Sequence, residues 1–245
     1  MDKMMYVAMS GARQVMLKQA TNNHNLANMN TTGFKADVDS FRSMPVYGPG
    51  HPARVYAEGH RAGIQHTQGQ LISTGAPLDV AVNGDGFIAV QDSEGNERYT
   101  RNGNLQVTDQ GMLVTSAGHP VLGEAGPITL SPYSDILIGT DGTITIQPLG
   151  QAVGETVVLD RIKLVNPDTA TIKRNDNGLF TTPTGDEPAD AAVTVAPGTL
   201  ETSNVNSVEA MVTMIELARQ FEAQIKMMSA AEENDRAAAQ LLKIA

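Results

Sequence analysis

The stretch NNHNLANMNTTGFKA, residues 22–36, has five asparagines in its first nine positions and follows an apolar, methionine-rich start. Asparagine side chains hydrogen-bond to nearby backbone groups, so they favour helix caps and turns over helix interiors. The block is therefore either an ordinary loop or a specific joint between two structural regions. The composition of the segments before and after the block helps to distinguish these two interpretations.

The segment before the block has the pattern of a helix. Residues 1–29 contain one glycine and no proline, and Met5, Met9, Ala12 and Met16 recur at spacings of three and four. That spacing places the apolar side chains on one face of an amphipathic helix. The pattern stops in the asparagine block, which is where we predict the helix to end.

The segment after the block has the composition of a β protein. Residues 33–198 hold all 12 prolines and 22 of the 23 glycines. Short alternating runs such as LDVAV (78–82) and TITI (143–146) are separated by turn pairs such as Asn83-Gly84 and Asp141-Gly142. Such pairs suit the positive φ of hairpin turns, so the pattern predicts an all-β body of short antiparallel strands. Strand signals are few over residues 36–75, where we predict an extended linker.

A second helix is predicted after the β body. No glycine or proline follows Gly198, and Asn206 with Glu209 three residues later has the spacing of a capping box. A helix over residues 207–243 would be about 55 Å long, which is too long for a small β body to cover. We therefore expect this helix to pack along the N-terminal one.

These elements predict an α+β fold in three parts. The terminal helices, within residues 1–35 and 200–245, are expected to pair in a coiled-coil-like assembly layer. Residues 36–75 form the linker, and residues 76–199 form a β-rich domain.

Methionine is concentrated in the two predicted helices. Nine of the 12 methionines lie within residues 1–16 or 211–228. Methionine is flexible and is often used at adaptable surfaces, although it also fills ordinary cores. Two terminal helices have little domain around them to form a core, which favours contacts with other subunits. The predicted packing positions are Met5, Met9, Met16, Met211, Ile225 and Met228.

Charge and composition argue against several classes of protein. The chain has 17 Lys and Arg against 27 Asp and Glu, a net charge of −10, which disfavours nucleic-acid binding and anionic membranes. There is no cysteine, so disulfides, thiolate metal sites and cysteine nucleophiles are excluded. The first thirty residues lack the long apolar run of a cleavable signal peptide, and we expect no membrane insertion.

The residues that usually carry chemistry form no convincing site. None of the five histidines is spaced i, i+4 with another on a predicted helix, and Asp79 and Asp85 lie in turn-forming contexts. Gly84 and Gly86 are not followed by a third glycine at position 89, as a dinucleotide loop requires. We predict no catalytic residue, no cofactor and no metal site. A wall-cleaving enzyme and a secreted β-rich binding module stay open as alternatives to a structural protein.

The asparagine block itself carries a resemblance. NLANMNTTGFKA (25–36) resembles the N-terminal signature of the bacterial flagellar axial proteins, the rod and hook family, and LETSNVNSVEAMVTMIELARQFE (200–222) is similar to the matching C-terminal signature. His24 stands where the family usually has asparagine. The β body, in TGAPLDVAVNGDGFIAV (74–90) and the segment 99–123, is also similar to that of rod and hook proteins. The matching residues are Asn25, Leu26, Ala27, Asn28, Thr31, Gly33, Phe34, Leu200, Glu201, Ser203, Asn204, Val205, Glu209, Met214, Ile215, Arg219 and Phe221.

The resemblance implies a structural role rather than an enzymatic one. Residues 1–12 and 121–144 are most similar to proximal rod subunits, with a distal rod or hook-type protein as the alternative. A proximal rod subunit polymerises with copies of itself and with neighbouring proximal and distal rod proteins into a tube that transmits torque across the periplasm. It is delivered by the flagellar type III export apparatus without a cleaved signal peptide. Its terminal helices form an inner layer and its β body an outer domain.

Overall fold

A computed structural model describes residues 4–45, 47, 55–150, 156–175 and 177–244. The chain forms two compact units. The helical unit comprises Met1–Asn28, Asp37–Gly63 and Val205–Ala245, and the strand unit comprises Met29–Ala36 and Ile64–Asn204. The chain therefore passes from one unit to the other four times, after residues 28, 36, 63 and 204.

The helical unit is built on two terminal helices that pack against each other. Helix α1 is Met4–Ala27 and helix α2 is Ser207–Ile244. The Asn22 side chain donates to the carbonyl of Ala210 at 2.8 Å, and Gly11 lies against the side chain of Gln224. The two helices are therefore antiparallel, because residue numbers rise along α1 as they fall along α2. The prediction of paired terminal helices is confirmed.

The buried side chains of the two helices are alanines and one leucine rather than methionines. Ala8 and Ala12 of α1 are buried, and Leu217 is the most deeply buried side chain described on α2. Small residues let two helix backbones approach closely, which explains this choice of face. The predicted packing residues lie elsewhere in the single chain: Met5, Met9, Met16, Met211 and Ile225 are exposed, and Met228 is half-buried.

The helical unit also contains a two-stranded sheet, where the sequence predicted an extended linker. Strand β1 is Asp37–Pro45 and strand β2 is Val55–Ile64. The side chains of β1 are exposed from Ser40 to Pro45, so no buried face imposes an alternating pattern on its sequence. That is why the strand signal is weak over residues 36–75. The division of the chain thus differs from the predicted boundaries, because residues 37–63 group with the helices.

The strand unit contains short strands in antiparallel sheets, as the turn pattern predicted. Five strands form one sheet in the order β12-β5-β6-β14-β13, three form another in the order β11-β10-β9, and β15-β4, β16-β3 and β7-β8 are separate pairs. The strands are β3 (Leu71–Ser73), β4 (Val80–Asn83), β5 (Phe87–Gln91), β6 (Glu97–Thr100), β7 (Leu105–Val107), β8 (Leu113–Thr115), β9 (Tyr133–Ile138), β10 (Thr143–Pro148), β11 (Val157–Arg161), β12 (Leu164–Val165), β13 (Lys173–Arg174), β14 (Phe180–Thr181), β15 (Thr194–Pro197) and β16 (Thr199–Glu201).

Strand β5 lies between two apolar clusters. Ile88 and Val90 pack in the larger cluster, whereas Phe87 and Ala89 pack in the smaller one with Phe180. Successive side chains of a strand point to opposite faces, so the five-stranded sheet is covered on both sides at β5. The run FIAV is therefore fully apolar rather than half polar.

Two glycines show why this residue type recurs in the strand unit. Gly142, in the predicted turn Asp141-Gly142, has φ of 85°, which suits glycine. Position 103 requires glycine for a different reason, because a Cβ there would lie 1.6 Å from the carbonyl oxygen of Val80. The turn pairs of the sequence thus mark both left-handed turns and close backbone approaches.

Tyr99 gives the strand unit a dependence on pH. Its side chain is fully buried, and its hydroxyl donates to the carbonyl of Gly185 at 3.2 Å and accepts from the N–H of Glu187 at 2.8 Å. Burial raises the pKa of Tyr99 well above its ordinary value. The unfolded chain ionises this group near pH 10, so stability from Tyr99 is complete below about pH 10. Above that pH, the contribution of Tyr99 to the free energy of unfolding falls by about 1.4 kcal/mol per pH unit.

We expect Tyr99→Phe to remove this loss of stability above about pH 10. Near neutral pH the variant should have a free energy of unfolding about 1–3 kcal/mol below wild type, because the Glu187 N–H loses its acceptor. Above about pH 10 the difference should shrink, since phenylalanine does not titrate. Urea denaturation of both proteins across this pH range measures the effect, and parallel pH profiles would contradict it.

Candidate assembly joint

The asparagine block ends helix α1. Helix α1 stops at Ala27, and the backbone N–H of Asn28 donates to the carbonyls of His24 at 3.2 Å and Asn25 at 3.1 Å. The Asn28 side chain donates to the same His24 carbonyl at 2.9 Å. Carbonyls in the last turn of a helix have no partner within the helix, and asparagine satisfies them here.

Asn25 joins the end of α1 to the start of β1 within the helical unit. Its side-chain N–H donates to the Asp37 carbonyl, and its side-chain oxygen accepts from the Asp37 N–H, both at 2.9 Å. His24, which departs from the family signature, places Nδ1 3.2 Å from the carboxylate of the same Asp37. Two consecutive signature positions therefore hold one residue of β1.

In the strand unit, Gly33 sits where no other residue fits. Its φ is 68°, and a Cβ there would lie 2.3 Å from the backbone carbonyl of Arg101. Its N–H donates to the carbonyl of Glu201 at 2.8 Å. The N-terminal signature thus meets the C-terminal one through this hydrogen bond, and the close approach of the Arg101 backbone leaves no room for a side chain at Gly33.

Phe34 is held by a cation rather than by apolar neighbours alone. The guanidinium of Arg174 lies 4.5 Å from the centre of the Phe34 ring and 5.3 Å from that of Phe180. Arg174 also donates a hydrogen bond to the carbonyl of Lys35. Arginine is well suited to stacking on aromatic faces, so Arg174 fixes both the side chain of Phe34 and the backbone beside it.

Asn204 hydrogen-bonds to two other segments of the strand unit, residues 34–36 and 65–67. Its side-chain oxygen accepts from the Ala36 N–H at 2.7 Å, and its backbone N–H donates to the Phe34 carbonyl at 3.3 Å. Its side-chain N–H group donates to the carbonyls of Gln65 at 2.9 Å and Thr67 at 3.1 Å. A single carboxamide therefore ties the segments that end at residues 36 and 204 to the segment that begins at residue 64.

A buried charge cluster lies beside Asn204. The Lys35 ammonium is 2.6 Å from Oε1 of Glu201, and the Arg101 guanidinium is 3.1 Å from Oε2. These side chains are 1%, 0% and 3% exposed for Lys35, Glu201 and Arg101. Lys35 also donates to the Thr67 carbonyl at 2.9 Å, and the Gly69 N–H donates to Glu201 Oε1 at 2.9 Å.

Burial and pairing act in opposite directions on Lys35. Burial lowers the pKa of Lys35, whereas the hydrogen bond and the negative charge of Glu201 raise it. A buried ammonium is costly unless it is paired, so Glu201 is the group that allows Lys35 to occupy this position.

Some of the residues that lie together here belong to the predicted assembly motif, and others do not. Asn25, Asn28, Gly33 and Phe34 were predicted with Glu201 and Asn204. Lys35, Arg101 and Arg174 were not assigned a role, because their partners are 166, 100 and 139 residues away along the chain. No local pattern signals such pairs.

The other predicted residues occupy varied positions. Leu200 pairs with Ile72 between β16 and β3, Ser203 is buried, and the carbonyl of Thr31 accepts from the N–H of Phe34. Asn206 caps α2, because its side-chain oxygen accepts from the N–H groups of Val208 and Glu209. The remaining positions are half-buried or exposed, namely Leu26, Ala27, Val205, Glu209, Met214, Ile215, Arg219 and Phe221.

The described residues lack two other kinds of site. Among them, no group of three or more histidine or carboxylate side chains could hold a metal ion. None of the helices in this part of the chain has the length and apolar character needed to cross a membrane.

Comparison with known proteins places the two signatures in one family. The chain is 41% identical to the flagellar basal-body rod protein FlgF of Salmonella typhimurium (strain LT2), over 251 residues that cover 100% of both chains. It is 40% identical to the FlgF protein of Escherichia coli (strain K12), again over 100% of both. This chain belongs to the flagellar basal-body rod protein family.

Family models match three parts of this rod protein. The flagella basal body rod protein model matches residues 5–35, the flagellar hook protein FlgE/F/G D1 domain matches 81–146, and the flagellar basal body rod FlgEFG protein C-terminal model matches 196–241. The rod protein is also 31% identical to FlgG of Buchnera aphidicola subsp. Acyrthosiphon pisum, over 91% of this chain and 92% of that one. The resemblance found in the sequence is confirmed.

The contacts of Asn204 generate a stability test. Asn204→Asp keeps the acceptor for the Ala36 N–H but replaces the donor that faces the Gln65 and Thr67 carbonyls with an anionic oxygen. We expect the free energy of unfolding, measured by urea denaturation of the full chain, to fall by about 1–3 kcal/mol.

Asn206→Asp is the matched control. This residue only accepts hydrogen bonds, from the first turn of α2, and aspartate caps a helix as well as asparagine does. The control should differ from wild type by less than about 0.5 kcal/mol. Equal losses in both variants would show that Asn204 acts only through its acceptor oxygen or its backbone.

Proposed function

We propose that this chain is a structural subunit of the proximal flagellar rod. It polymerises with copies of itself and with other rod subunits into a tube that transmits torque. The observation that carries the proposal is the end-to-end similarity to FlgF proteins, at 41% and 40% identity. The shorter and weaker match to a FlgG protein favours the proximal rod over its alternatives.

The exposed apolar side chains of the helices support polymerisation. Both α1 and α2 carry large apolar residues that the single chain leaves open to solvent. Met5 and Met9 are four residues apart, and Val208, Met211, Val212 and Ile215 recur at the three- and four-residue spacing of one helix face. An exposed apolar face is typical of sites that other subunits cover. We assign these residues to a coiled-coil-like inner layer of the rod, formed by Met5, Met9, Met16, Leu17, Val208, Met211, Val212, Ile215 and Ile225.

The length of α2 supports the same assignment. Helix α2 has 38 residues and is about 57 Å long, whereas α1 has 24 residues and is about 36 Å long. One α1 therefore cannot cover α2 from end to end, and residues 236–241 are exposed. Helices of neighbouring subunits would cover the remainder.

The strand unit serves as the outer domain in this proposal. Its apolar clusters are internal, so it needs no partner to bury its core. We further propose that the subunit acts in the periplasmic part of the basal body, and that the flagellar type III export apparatus delivers it without cleavage of a signal peptide. Its partners are neighbouring proximal and distal rod proteins, and we assign it no catalytic activity and no cofactor.

Deletion of the gene in its own host tests the role. We expect basal bodies, imaged by electron microscopy, to stop before the distal rod and to lack hooks, because the next subunits have no surface on which to assemble. Plasmid-borne wild-type protein should restore hooks. Intact hooks in the deletion strain would exclude a role in the rod.

A charged substitution on the exposed apolar face of α2 tests whether this face contacts other subunits. Met211 is exposed in the single chain, so Met211→Lys should leave the folded monomer as stable as wild type. Burial of the unpaired ammonium between subunits would cost several kcal/mol per contact, so the variant should fail to restore hooks to the deletion strain.

Glu222→Lys is the control for that variant. Glu222 is an exposed polar residue of the same helix, and its substitution introduces the same side chain. We expect it to restore hooks. If Met211→Lys also restores them, the apolar face at Met211 is not an inter-subunit contact.

A further inference from the structure

We propose that Lys35 is a positioning residue that couples the N-terminal and C-terminal connecting segments under mechanical load. Through Glu201, it fastens residues 33–36 to residues 201–204, so that tension arriving along one segment is shared by the other. The inference rests on the proposed function, because only a torque-transmitting subunit carries such tension.

The path of the chain creates the need for this coupling. The backbone passes between the strand unit and the helical unit after residues 28, 36, 63 and 204. Any force between the two units that the backbone carries must run along these connections. Within the strand unit, residues next to three of them meet, since Ala36, Gln65 and Asn204 are hydrogen-bonded to one another.

Most of the hydrogen bonds between residues 33–36 and residues 201–204 join uncharged groups. Gly33 donates to the Glu201 carbonyl, and Asn204 exchanges bonds with Phe34 and Ala36. The bond from Lys35 to Glu201 is different, because both groups are charged and almost fully buried at 2.6 Å. Charge-assisted hydrogen bonds are about twice as strong as neutral ones, so this pair is the strongest single tie between the segments.

The Lys35–Glu201 bond is part of a closed series of side-chain contacts within the strand unit, which we call the ring. Arg101 contacts Glu201 on one side and lies 5.2 Å from the Phe87 ring on the other. The Phe87 and Phe180 ring centres are 5.1 Å apart. Arg174 then connects Phe180 to Phe34, next to Lys35 in the chain. The full ring is Lys35, Glu201, Arg101, Phe87, Phe180, Arg174 and Phe34.

The ring explains why two cations share one buried carboxylate. Arg101 anchors Glu201 to the body, where its guanidinium also donates to the Gly84 carbonyl at 2.8 Å. For the charge balance of the Glu201 site, one cation is enough. Arg101 and Glu201 therefore form a charge-balanced pair without Lys35, and Lys35 connects the N-terminal segment to that pair.

Lys35→Met separates the coupling role from a general role in stability. Methionine has a similar length and no charge, and Glu201 keeps its bonds to Arg101 and to the Gly69 N–H. The variant therefore leaves a neutral buried pair rather than an orphaned charge. Ile144→Val, in the core of β10, is the control, because it weakens the same unit by about 1 kcal/mol far from the ring.

Force spectroscopy of the full chain tests the proposal. The chain has no cysteine, so Met16→Cys and Leu137→Cys, at side chains that are 58% and 67% exposed, give unique attachment points in the two units. Pulling between them loads the connecting segments. We expect Lys35→Met to lower the force of the first rupture by about half, because the charged tie is gone. Ile144→Val should leave that force unchanged.

Urea denaturation of the same variants completes the test. The proposal requires that Lys35→Met be no less stable at rest than Ile144→Val and yet rupture at a lower force. Equal rupture forces for Lys35→Met and the parent chain would overturn it, as would equal losses of force in the two variants. Because no flagellum is needed, this result is independent of the deletion experiment that tests the proposed function.

Discussion

Glu201 holds a negative charge at a position that solvent does not reach, and the arrangement of both terminal signatures depends on how that charge is balanced. One cation comes from the body and the other from the N-terminal segment, and a backbone N–H completes the shell around the carboxylate. A buried ion is stable only when it is paired and hydrogen-bonded. The carboxylate thus brings together residues from three distant parts of the chain.

Two asparagines perform the same task in the two units. Asn25 binds both backbone groups of Asp37 in the helical unit, and Asn204 binds backbone groups of two other segments in the strand unit. A carboxamide offers a donor and an acceptor on a short side chain, so it can replace the pairing that a strand would provide. The asparagine block is not an ordinary loop, because the side chains of Asn22, Asn25 and Asn28 each bind a different backbone group within the helical unit.

Local patterns of the sequence predicted the helices, the short strands and the turns, because each rests on residues a few positions apart. The sheet of β1 and β2 was missed because exposed strands need no alternation. The predicted apolar stripe of α1 contains Met5, Met9, Ala12 and Met16. Of these the chain buries Ala12 and leaves the three methionines exposed, and it also buries Ala8, which lies outside the predicted set. Lys35, Arg101 and Arg174 were missed because their partners are defined only by the tertiary fold.

The discontinuous strand unit also constrains the order in which the molecule can form. Lys35 and Glu201 are separated by 166 positions, so the loop that their bond closes spans most of the chain. Contacts of such long range form late and slowly, because the entropy of closing the loop is lost before the contact is gained. A chain whose first part becomes available before its last part therefore cannot complete this unit, and the buried lysine remains solvated until Glu201 arrives. The topology of the strand unit therefore favours completion of its fold only after the C-terminal signature is present.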